Sequence, residues 1–375
     1  MKFLHLSDLH IGKSVNGFSM LNEQRHVFRQ ITGYIRSQKP AAVIIAGDVY
    51  DRSVPGVEAV GVFDDFLTEL ADADVAVMLI SGNHDSPERL NYASRLLSNK
   101  KIYLCGMFEG RLRSVVLTDK YGEVHFWLLP FIKPSSVHEE NYGDAFTSVL
   151  KTAGIDYAKR NVLISHQFFA GAGIVPIRSE SEINPVGGLD VIDAGLIQNF
   201  DYAALGHLHG AQTAGAEHIR YAGSPVKYSF SEWRQKKSVN LVELNQKGNL
   251  SVTALPLVPL HEMREIRGEL EKLMSDEVSS LADKEDYVRV ILTDEEEIID
   301  PMGKIRSVYP NVMALDFENS RTSVDISGIN PDLIQTEQLS PYDLFSEFFL
   351  DINGSVMSDE QAKIARELLE TGGGQ

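Results

Sequence analysis

Short, continuous apolar runs recur through about the first 210 residues, and each run stops at a polar cluster. The runs that share this pattern are FLHLSDLH, AAVIIAGDVYD, VAVMLISGNHD, NVLISHQ and YAALGHLHG. Unbroken apolar runs of this length are typical of strands that are buried on both faces of a sheet. In α/β folds of this kind, sites collect beyond the carboxyl ends of the strands. The pattern therefore predicts a covered sheet with a cluster of polar side chains at one edge.

Helical periodicity appears between the apolar runs. It predicts helices at residues 22 to 37, 57 to 71 and 86 to 98, among others. Strand-like stretches dominate later, and residues 247 to 249 have the composition of a hairpin turn between two of them. Together these elements predict an α/β fold in which a β-sandwich is flanked by outer helices.

The composition changes after Pro256 and Pro259, which predicts a domain boundary close to residue 260. The later part has the order strand, helix (268 to 280), strand, helix (300 to 308), strand, as expected for a small α/β unit. The predicted divisions are a first domain at 1–260, a small α/β domain at 261–327, a linker at 328–340 and a helical segment at 341–371.

The helical segment is rich in large apolar side chains at its start. Those that we expect to contact a partner are Tyr342, Leu344, Phe345, Phe348 and Phe349. Aromatic residues that share one face of a terminal helix beyond a linker favour docking in a groove of another protein. The alternative is that the same face docks back on the parent domain.

Net charge and cysteine content restrict the environment. The formal charge of −18 argues against a protein that coats itself in nucleic acid, but an enzyme needs only a local basic rim. No apolar run approaches the roughly 20 residues of a bilayer crossing, and the first residues lack a signal-peptide pattern. A single cysteine, Cys105, excludes an internal disulfide and suits a reducing compartment. We therefore expect a protein of the cytoplasm that does not bind membranes.

The polar clusters contain a set of metal-binding side chains. Its members are Asp8, His10, Asp48, Asn83, His166, His207 and His209. Carboxylate, imidazole and amide groups together are typical ligands of Mn, Fe or Zn rather than of Ca. Seven ligands are too many for one ion, but they suit two ions that share a carboxylate, as in enzymes of in-line displacement at phosphorus. The glycines before Asp48, Asn83 and His207 are expected to permit sharp turns.

Each cluster alone is a weak signal, because one Asp or His after a strand is more often a helix cap or a satisfied polar residue. Five clusters in succession are not readily explained by chance. The remaining histidines are interpreted as structural or surface residues: His5, His26, His125, His138, His218 and His261. SDLHIGKS, residues 7 to 14, departs from a phosphate-binding loop at Ser7, and Asp8 would repel the phosphates. We expect no nucleotide there.

The five clusters, in this order, resemble the signature D-x-H, GD, GNH[DE], His and GH-x-H of the calcineurin-type metallophosphoesterases. Within that superfamily, HLSDLHIGK, IIAGDVYDR, SGNHDSPERL, YAGSPVKYSFSE and KKSVNLVEL are similar to the bacterial SbcD nucleases. The similarity extends to the small α/β unit, which corresponds to the SbcD cap domain, and to the segment FSEFF. It therefore covers nearly the whole chain.

The resemblance implies a role for each site residue. It implies two divalent ions, with Mn²⁺ as the expected metal and Mg²⁺ as the alternative. One ion would be held by Asp8, His10, Asp48 and His209, and the other by Asp48, Asn83, His166 and His207. His84 would be a catalytic imidazole that is not a ligand. Asp85 would brace the loop by hydrogen bonds.

The resemblance also implies a substrate and a partner. SbcD enzymes degrade double-stranded DNA ends from the 3′ side and open single-stranded or hairpin DNA. They work as a dimer with the ATPase SbcC, in a heterotetramer, and residues 57 to 71 and 86 to 98 are the candidates for the dimer contact. Candidate DNA contacts are Arg52, Arg89, Arg178, Lys227, Arg234, Lys236 and Lys237. For Lys236 and Lys237 a solvated hairpin end is an equal alternative.

Two other functions remain open at this point. One is a protein phosphatase or cyclic nucleotide phosphodiesterase of the same fold, for which the cap-like unit and the aromatic segment have no evident use. The other is a scaffold without metals, against which the complete ligand set argues.

Overall fold

The computed structural model describes residues 1–171, 176–182, 191–320, 340–353 and 355–371. The chain divides into two compact units, Met1–Met263 and Arg264–Gln375. The linker predicted at residues 328 to 340 lies outside the described residues, except for residue 340.

The first unit consists of strands joined by helices and loops. Its strands are β1 (Lys2–Leu6), β2 (Ser14–Val15), β3 (Phe18–Ser19), β4 (Ala42–Ala46), β5 (Ala76–Ile80), β6 (Ile102–Cys105), β7 (Arg113–Asp119), β8 (Gly122–Leu129), β9 (Arg160–Ser165), β10 (Phe169–Ala170), β11 (Ile192–Asp193), β12 (Tyr202–Leu205), β13 (Gln212–Thr213), β14 (Ile219–Tyr221), β15 (Ser238–Leu244) and β16 (Leu250–Pro256). Its helices are α1 (Leu21–Gln38), α2 (Val57–Asp72), α3 (Pro87–Leu90), α4 (Ser94–Leu97) and α5 (Tyr142–Ala153). Short 3₁₀ helices lie at Ser98–Lys100, Pro134–Val137, Ala194–Ile197 and Phe230–Glu232.

Two six-stranded sheets form the body of this unit, in the orders β16-β15-β1-β4-β5-β6 and β13-β14-β12-β9-β8-β7. Strands β1, β4, β5 and β6 are parallel to one another, as are β8, β9, β12 and β14. Antiparallel strands complete the edges. The predicted β-sandwich is confirmed.

Apolar side chains fill the space between the two sheets. Phe3 of β1 contacts Phe126 and Tyr202 of the opposite sheet, with ring centroids 5.5 and 5.8 Å apart, both edge to face. Burial of one such side chain stabilises the fold by about 1.5 to 3 kcal/mol. On the outer faces, Phe28 of α1 stacks on Phe66 of α2 at 4.5 Å. This packing holds the strand ends in fixed positions at one edge.

The sequence predicted the long helices of this unit correctly and a shorter one wrongly. Helices α1 and α2 match the predictions to within one residue at each end. The helix predicted at residues 86 to 98 is instead two short helices, α3 and α4. Ala93 lies between them with a φ of 58°, a left-handed conformation that no continuous α-helix contains.

The second unit begins with a strand that starts at the last residue of the first. Its elements are β17 (Met263–Gly268), α6 (Leu270–Met274), α7 (Asp276–Ser279), β18 (Tyr287–Leu292), α8 (Pro301–Arg306), β19 (Val312–Phe317), α9 (Pro341–Asn353) and α10 (Asp359–Thr371). Strands β17, β18 and β19 form one sheet, so the predicted order of strands and helices is confirmed. The helix predicted at 268 to 280 is split into α6 and α7, because Ser275 is extended with a ψ of 152°. No helix among the described residues has both the length and the apolar content to cross a bilayer.

Candidate metal centre

Five strand ends bring the predicted ligands together. Asp8 follows β1, Asp48 follows β4 and Asn83 follows β5 in the first sheet. His166 follows β9 and His207 follows β12 in the second sheet. Because these strands end at the same edge of the sandwich, side chains far apart in the sequence become neighbours.

Two groups of predicted ligands result from this convergence, and a third group places His84, which was not predicted as a ligand, within 4.8 Å of His10 and Asp48. Ligand atoms of Asp8, His10 and His209 lie within 4.8 Å of one another, and so do those of Asp8, Asp48 and His166. Asn83 Oδ1 lies 3.1 Å from His166 Nε2 and 3.2 Å from His207 Nδ1. The seven side chains selected from the sequence therefore form one continuous cluster.

The backbone at several ligands is strained. Asp8, His10, Asp48 and His207 all have positive φ, at 53°, 42°, 49° and 105°. Such conformations cost about 1 to 3 kcal/mol for a residue with a side chain and persist only where the surroundings enforce them. Here the loops hold one another, because the His10 amide donates to the Asp48 carbonyl at 3.0 Å. Strain of this kind concentrates at functional sites.

The glycines beside the ligands act in two ways. Gly47 has a φ of 88°, as predicted for a turn, and a Cβ there would lie 2.4 Å from His166 Nδ1. At Gly82 a Cβ would lie 2.1 Å from Asp48 Oδ1, and at Gly206 it would lie 2.0 Å from the Ala46 carbonyl. The last two glycines have ordinary φ values, so the predicted reason, a sharp turn, is wrong for them. They are needed because the Asp48 carboxylate and the Ala46 carbonyl approach too closely for a side chain.

Hydrogen bonds fix the orientation of the imidazoles. His166 Nδ1 lies 2.7 Å from the Ala46 carbonyl, which can only accept, so Nδ1 carries the proton. Its Nε2 faces two acceptors, Asp48 Oδ2 at 3.2 Å and Asn83 Oδ1 at 3.1 Å. On the other side, His10 Nε2 and His209 Nε2 are 3.1 Å apart. In both places, polar atoms that can each offer a lone pair lie within 3.1 to 3.2 Å of one another, so a proton or a cation must lie between them.

The donor set fits divalent cations. Converging carboxylate, amide and imidazole acceptors repel one another unless a proton or a cation lies between them. A cation in each group would satisfy these acceptors together, and Asp48 contributes to the contacts of both.

The pKa values report the same electrostatic conflict. Burial raises the pKa of Asp8 and lowers that of His207 to about 3. Burial also lowers the pKa of His166, but the Asp48 charge outweighs it and raises that pKa to about 9. For Asp48, burial raises the pKa, and His166 reverses the effect and brings it well below its usual range. Without a cation, a proton on His166 must balance the buried carboxylate.

His84 and Asp85 lie beside the ligands. The His84 amide donates to Asp48 Oδ1 at 2.9 Å, and its Nδ1 donates to the Asp51 carbonyl at 2.9 Å. The Asp85 carboxylate accepts the backbone N–H groups of Val49, Tyr50 and Gly82 at 2.9 to 3.1 Å. Burial and the Asp48 charge raise the pKa of Asp85 to about 6, against the effect of these three hydrogen bonds. Asp85 thus ties the loop after β4 to the loop after β5.

Sequence reasoning missed a buried group of charges behind His209. Glu232 and Lys237 form an ion pair at 2.6 Å, and both side chains are buried. Ser181 Oγ lies 2.7 Å from His209 Nδ1 and donates to Glu232 at 2.6 Å. The available signal was Glu232 itself, a carboxylate two residues after the buried Phe230 in a segment that follows the last ligand motif.

The structure contradicts two of the predicted DNA contacts. Lys237 is buried and donates to Glu232, Ser224 and the His209 carbonyl, so no N–H remains for a phosphate. Lys227 is also buried, where it pairs with Glu262 and donates to the Trp233 carbonyl. A lysine commits its charge in this way because an unpaired buried ammonium is unstable. Both assignments are wrong.

The remaining basic residues are accessible to different degrees. Arg52, Arg89, Arg234 and Lys236 are exposed. Arg178 is half-buried, with its guanidinium 4.1 Å from the centre of the Phe168 ring, which lies 5.8 Å from the His207 ring. These five stay predictions as DNA contacts, and Arg178 is the one placed beside a ligand.

The predicted partner-binding residues lie on α9. Leu344, Phe345 and Phe348 are exposed, with 58% of Phe348 accessible. Phe349 is half-buried, and Tyr342 lies under the Arg366 guanidinium of α10 at 4.5 Å. An apolar face therefore remains accessible on this helix.

Comparison with known proteins agrees with the geometry of the centre. A family model described as calcineurin-like phosphoesterase matches residues 1–211, and one described as type 5 capsule protein repressor C-terminal domain matches residues 259–352. The SbcD component of the nuclease SbcCD from Staphylococcus epidermidis is 30% identical, over 98% of this chain and 98% of the relative. The corresponding protein from Staphylococcus saprophyticus is also 30% identical, over 99% of this chain and 100% of that relative. This chain is a metal-dependent phosphoesterase and belongs to the calcineurin-like phosphoesterases, within them to the SbcD nuclease family.

Proposed function

We propose that this protein is the nuclease component of a DNA-processing complex and hydrolyses phosphodiester bonds with two divalent cations. The observation that supports it best is the convergence of seven ligands from five strand ends, with Asp48 between the two groups. Four of these ligands are imidazoles, which suit Mn²⁺ better than the oxygen-preferring Mg²⁺. One cation would be held by Asp8, His10, Asp48 and His209, and the other by Asp48, Asn83, His166 and His207.

The chain's own residues orient the substrate. When bound, the two cations neutralise the phosphate charge and make a water molecule available as the nucleophile near neutral pH. The His84 amide is bonded to Asp48, and its ring Nδ1 is bonded to the Asp51 carbonyl. The other ring nitrogen, Nε2, therefore points away from that backbone. As an imidazolium His84 would donate to the scissile phosphate and protonate the leaving oxygen. Asp85 keeps the His84 loop in place through the three amides that it accepts.

Membership in the family supports a proposal for the substrate and the assembly. The relatives are named as components of a nuclease SbcCD, which supports an SbcC-type ATPase as the partner and DNA as the substrate. We propose 3′ to 5′ exonuclease activity on double-stranded ends and endonuclease activity on single strands and hairpins. The exposed face of α9 would bind the ATPase, and two copies of this chain would form the centre of a heterotetramer in the cytoplasm. Arg52, Arg89, Arg178, Arg234 and Lys236 would supply local positive charge for DNA.

Cleavage assays distinguish this function from its rivals. The full chain, with and without an SbcC-type ATPase and ATP, is incubated in Mn²⁺ or Mg²⁺ with a labelled DNA hairpin and a labelled blunt duplex. We expect Mn²⁺-dependent cleavage of both DNA substrates. Hydrolysis of a phosphopeptide or a cyclic nucleotide without DNA cleavage would instead indicate another phosphoesterase of this fold. Inactivity on every substrate, despite bound metal, would indicate a scaffold.

A further inference from the structure

The buried ion pair behind His209 has no part in the function described so far. Glu232 is fully buried, and its carboxylate accepts from the Lys237 ammonium at 2.6 Å. It lies in the segment after the last ligand motif, and it contacts the imidazole of one predicted ligand. Burial of two charges is costly unless their geometry is well satisfied, so such a pair calls for a specific reason.

The hydrogen bonds around His209 determine which ring nitrogen carries the proton. The Glu232 carboxylate can only accept, so the Ser181 hydroxyl, 2.6 Å away, must donate to it. The Ser181 oxygen then accepts from His209 Nδ1 at 2.7 Å, and Glu232 Oε1 lies 3.3 Å from the same nitrogen. Both neighbours of Nδ1 therefore require a proton on it. Nε2 is left with a lone pair, directed toward His10 Nε2 at 3.1 Å.

The same pair also holds the backbone of His209. Lys237 donates to the His209 carbonyl at 2.9 Å while it pairs with Glu232. The His209 amide donates to Glu182 at 2.7 Å. His209 is thus fixed at its ring, its carbonyl and its amide, which restricts both the position and the direction of the Nε2 lone pair.

We propose that Glu232, charged and positioned by Lys237, is a positioning residue that keeps His209 in the Nδ1-protonated tautomer and so sets the affinity of the Asp8, His10 and His209 group for its cation. This inference rests on the two-cation site of the proposed function. It assigns Lys237 a role inside the protein in place of the DNA contact that the sequence suggested. Removal of a partner that orients a ligand histidine typically weakens metal binding about 10- to 100-fold.

The test is Glu232→Gln in the full chain. The glutamine amide oxygen still accepts from Lys237, but its NH₂ group would face His209 Nδ1 as a donor. The proton of the ring should then move to Nε2, which faces the cation position. Metal-free wild type and variant are titrated with Mn²⁺ by calorimetry, and bound metal is counted after dialysis. Nitrogen NMR of the metal-free proteins, with His209→Gln to assign the signal, reports the tautomer.

We expect wild type to bind two Mn²⁺ and Glu232→Gln to bind one of them about 10- to 100-fold more weakly. The His209 tautomer should change in the same variant. The matched control is Glu262→Gln, which breaks another lysine–glutamate pair, with Lys227, and touches no ligand. It should keep two ions and the wild-type tautomer.

Wild-type affinity at both positions in Glu232→Gln, or an unchanged His209 tautomer, would overturn the proposal. If Glu232→Gln does not fold, the His209 tautomer of the metal-free wild type decides. A proton on Nδ1 supports the positioning role, and a proton on Nε2 rejects it. DNA cleavage is not among these measurements. A wild type that binds two ions but cleaves no DNA would refute the proposed nuclease and leave the role of Glu232 standing.

Discussion

The two units of this protein differ in which side chains have unusual burial: polar side chains are buried in the first unit, and apolar side chains are exposed in the second. In the first unit, Asp8, Asp48 and His166 are buried at the sheet edge, although burial of such groups is unfavourable without partners. In the second, Phe345 and Phe348 of α9 remain 39% and 58% exposed. Exposed apolar patches mark interaction surfaces, whereas buried polar clusters mark internal ligand sites. The first departure supports the cation site, and the second supports the partner surface proposed for α9.

The largest effect should come from the carboxylate shared by the two ligand groups. Asp48→Asn keeps the shape but removes the charge that both cations require. We expect metal analysis to show less than one ion per chain, and hairpin cleavage in Mn²⁺ to fall to background. Cleavage near the wild-type rate would show that the buried carboxylates are not a metal site.

His84 should affect catalysis without affecting metal content. His84→Leu removes the imidazole but no predicted ligand, so we expect two ions per chain and a cleavage rate lower by about 10²- to 10⁴-fold. Metal analysis and single-turnover cleavage of the hairpin measure the two quantities separately. A variant that cuts as fast as wild type would refute the role given to this residue.

The exposed face of α9 should matter only for assembly. Phe348→Asp should weaken binding of an SbcC-type ATPase by more than about 10-fold, as expected for a buried aromatic anchor, while Mn²⁺-dependent cleavage by the isolated chain stays within about twofold. Binding is measured by calorimetry or co-purification. Ile299→Asp is the control, since Ile299 is 81% exposed in the same unit but outside this helix. Equal effects of the two substitutions would contradict a specific partner surface on α9.

A partly buried ion pair, at the opposite end of strand β9 from His166, provides the smallest effect. Arg160 binds Asp119 through two hydrogen bonds of 2.6 and 3.2 Å, and this bond holds the pKa of Asp119 below its usual range. A lowered carboxyl pKa stabilises the folded state above the unfolded value of about 3.9, and this stabilisation is lost as the pH falls through the folded value. Asp119→Asn should therefore lower the free energy of unfolding by about 2 kcal/mol at pH 7.

Denaturant unfolding at several pH values tests this sign. The difference between wild type and Asp119→Asn should shrink once the pH falls below about 4. Glu123→Gln, at an exposed pair with Lys159, should cause no measurable change at any pH. A difference that is constant with pH would show that the Asp119 charge is not its cause. Metal content should be unaffected, which separates structural from functional buried charge.

The sequence predicted those parts of the molecule that have a periodic signal. Strand β5 and its ligand Asn83 could be predicted because an unbroken apolar run ends directly at the polar group. The helix break at Ala93 could not be predicted, because the pattern of apolar and polar residues gives no sign of its left-handed backbone conformation. The burial of Lys237 was also missed, since its partner Glu232 ends a three-residue 3₁₀ helix, which is too short for residue spacing to indicate which side chains point inward. The charge of Lys237 suggested a surface position, and its ion pair with Glu232 is evident only from the three-dimensional contacts.

Anomalous X-ray diffraction from crystals grown in Mn²⁺ tests the central claim most directly. We predict two anomalous peaks, on the order of 3.5 to 4 Å apart, with the carboxylate of Asp48 between them and His209 and His166 on opposite sides. A single peak, or two peaks that share no ligand, would contradict the account.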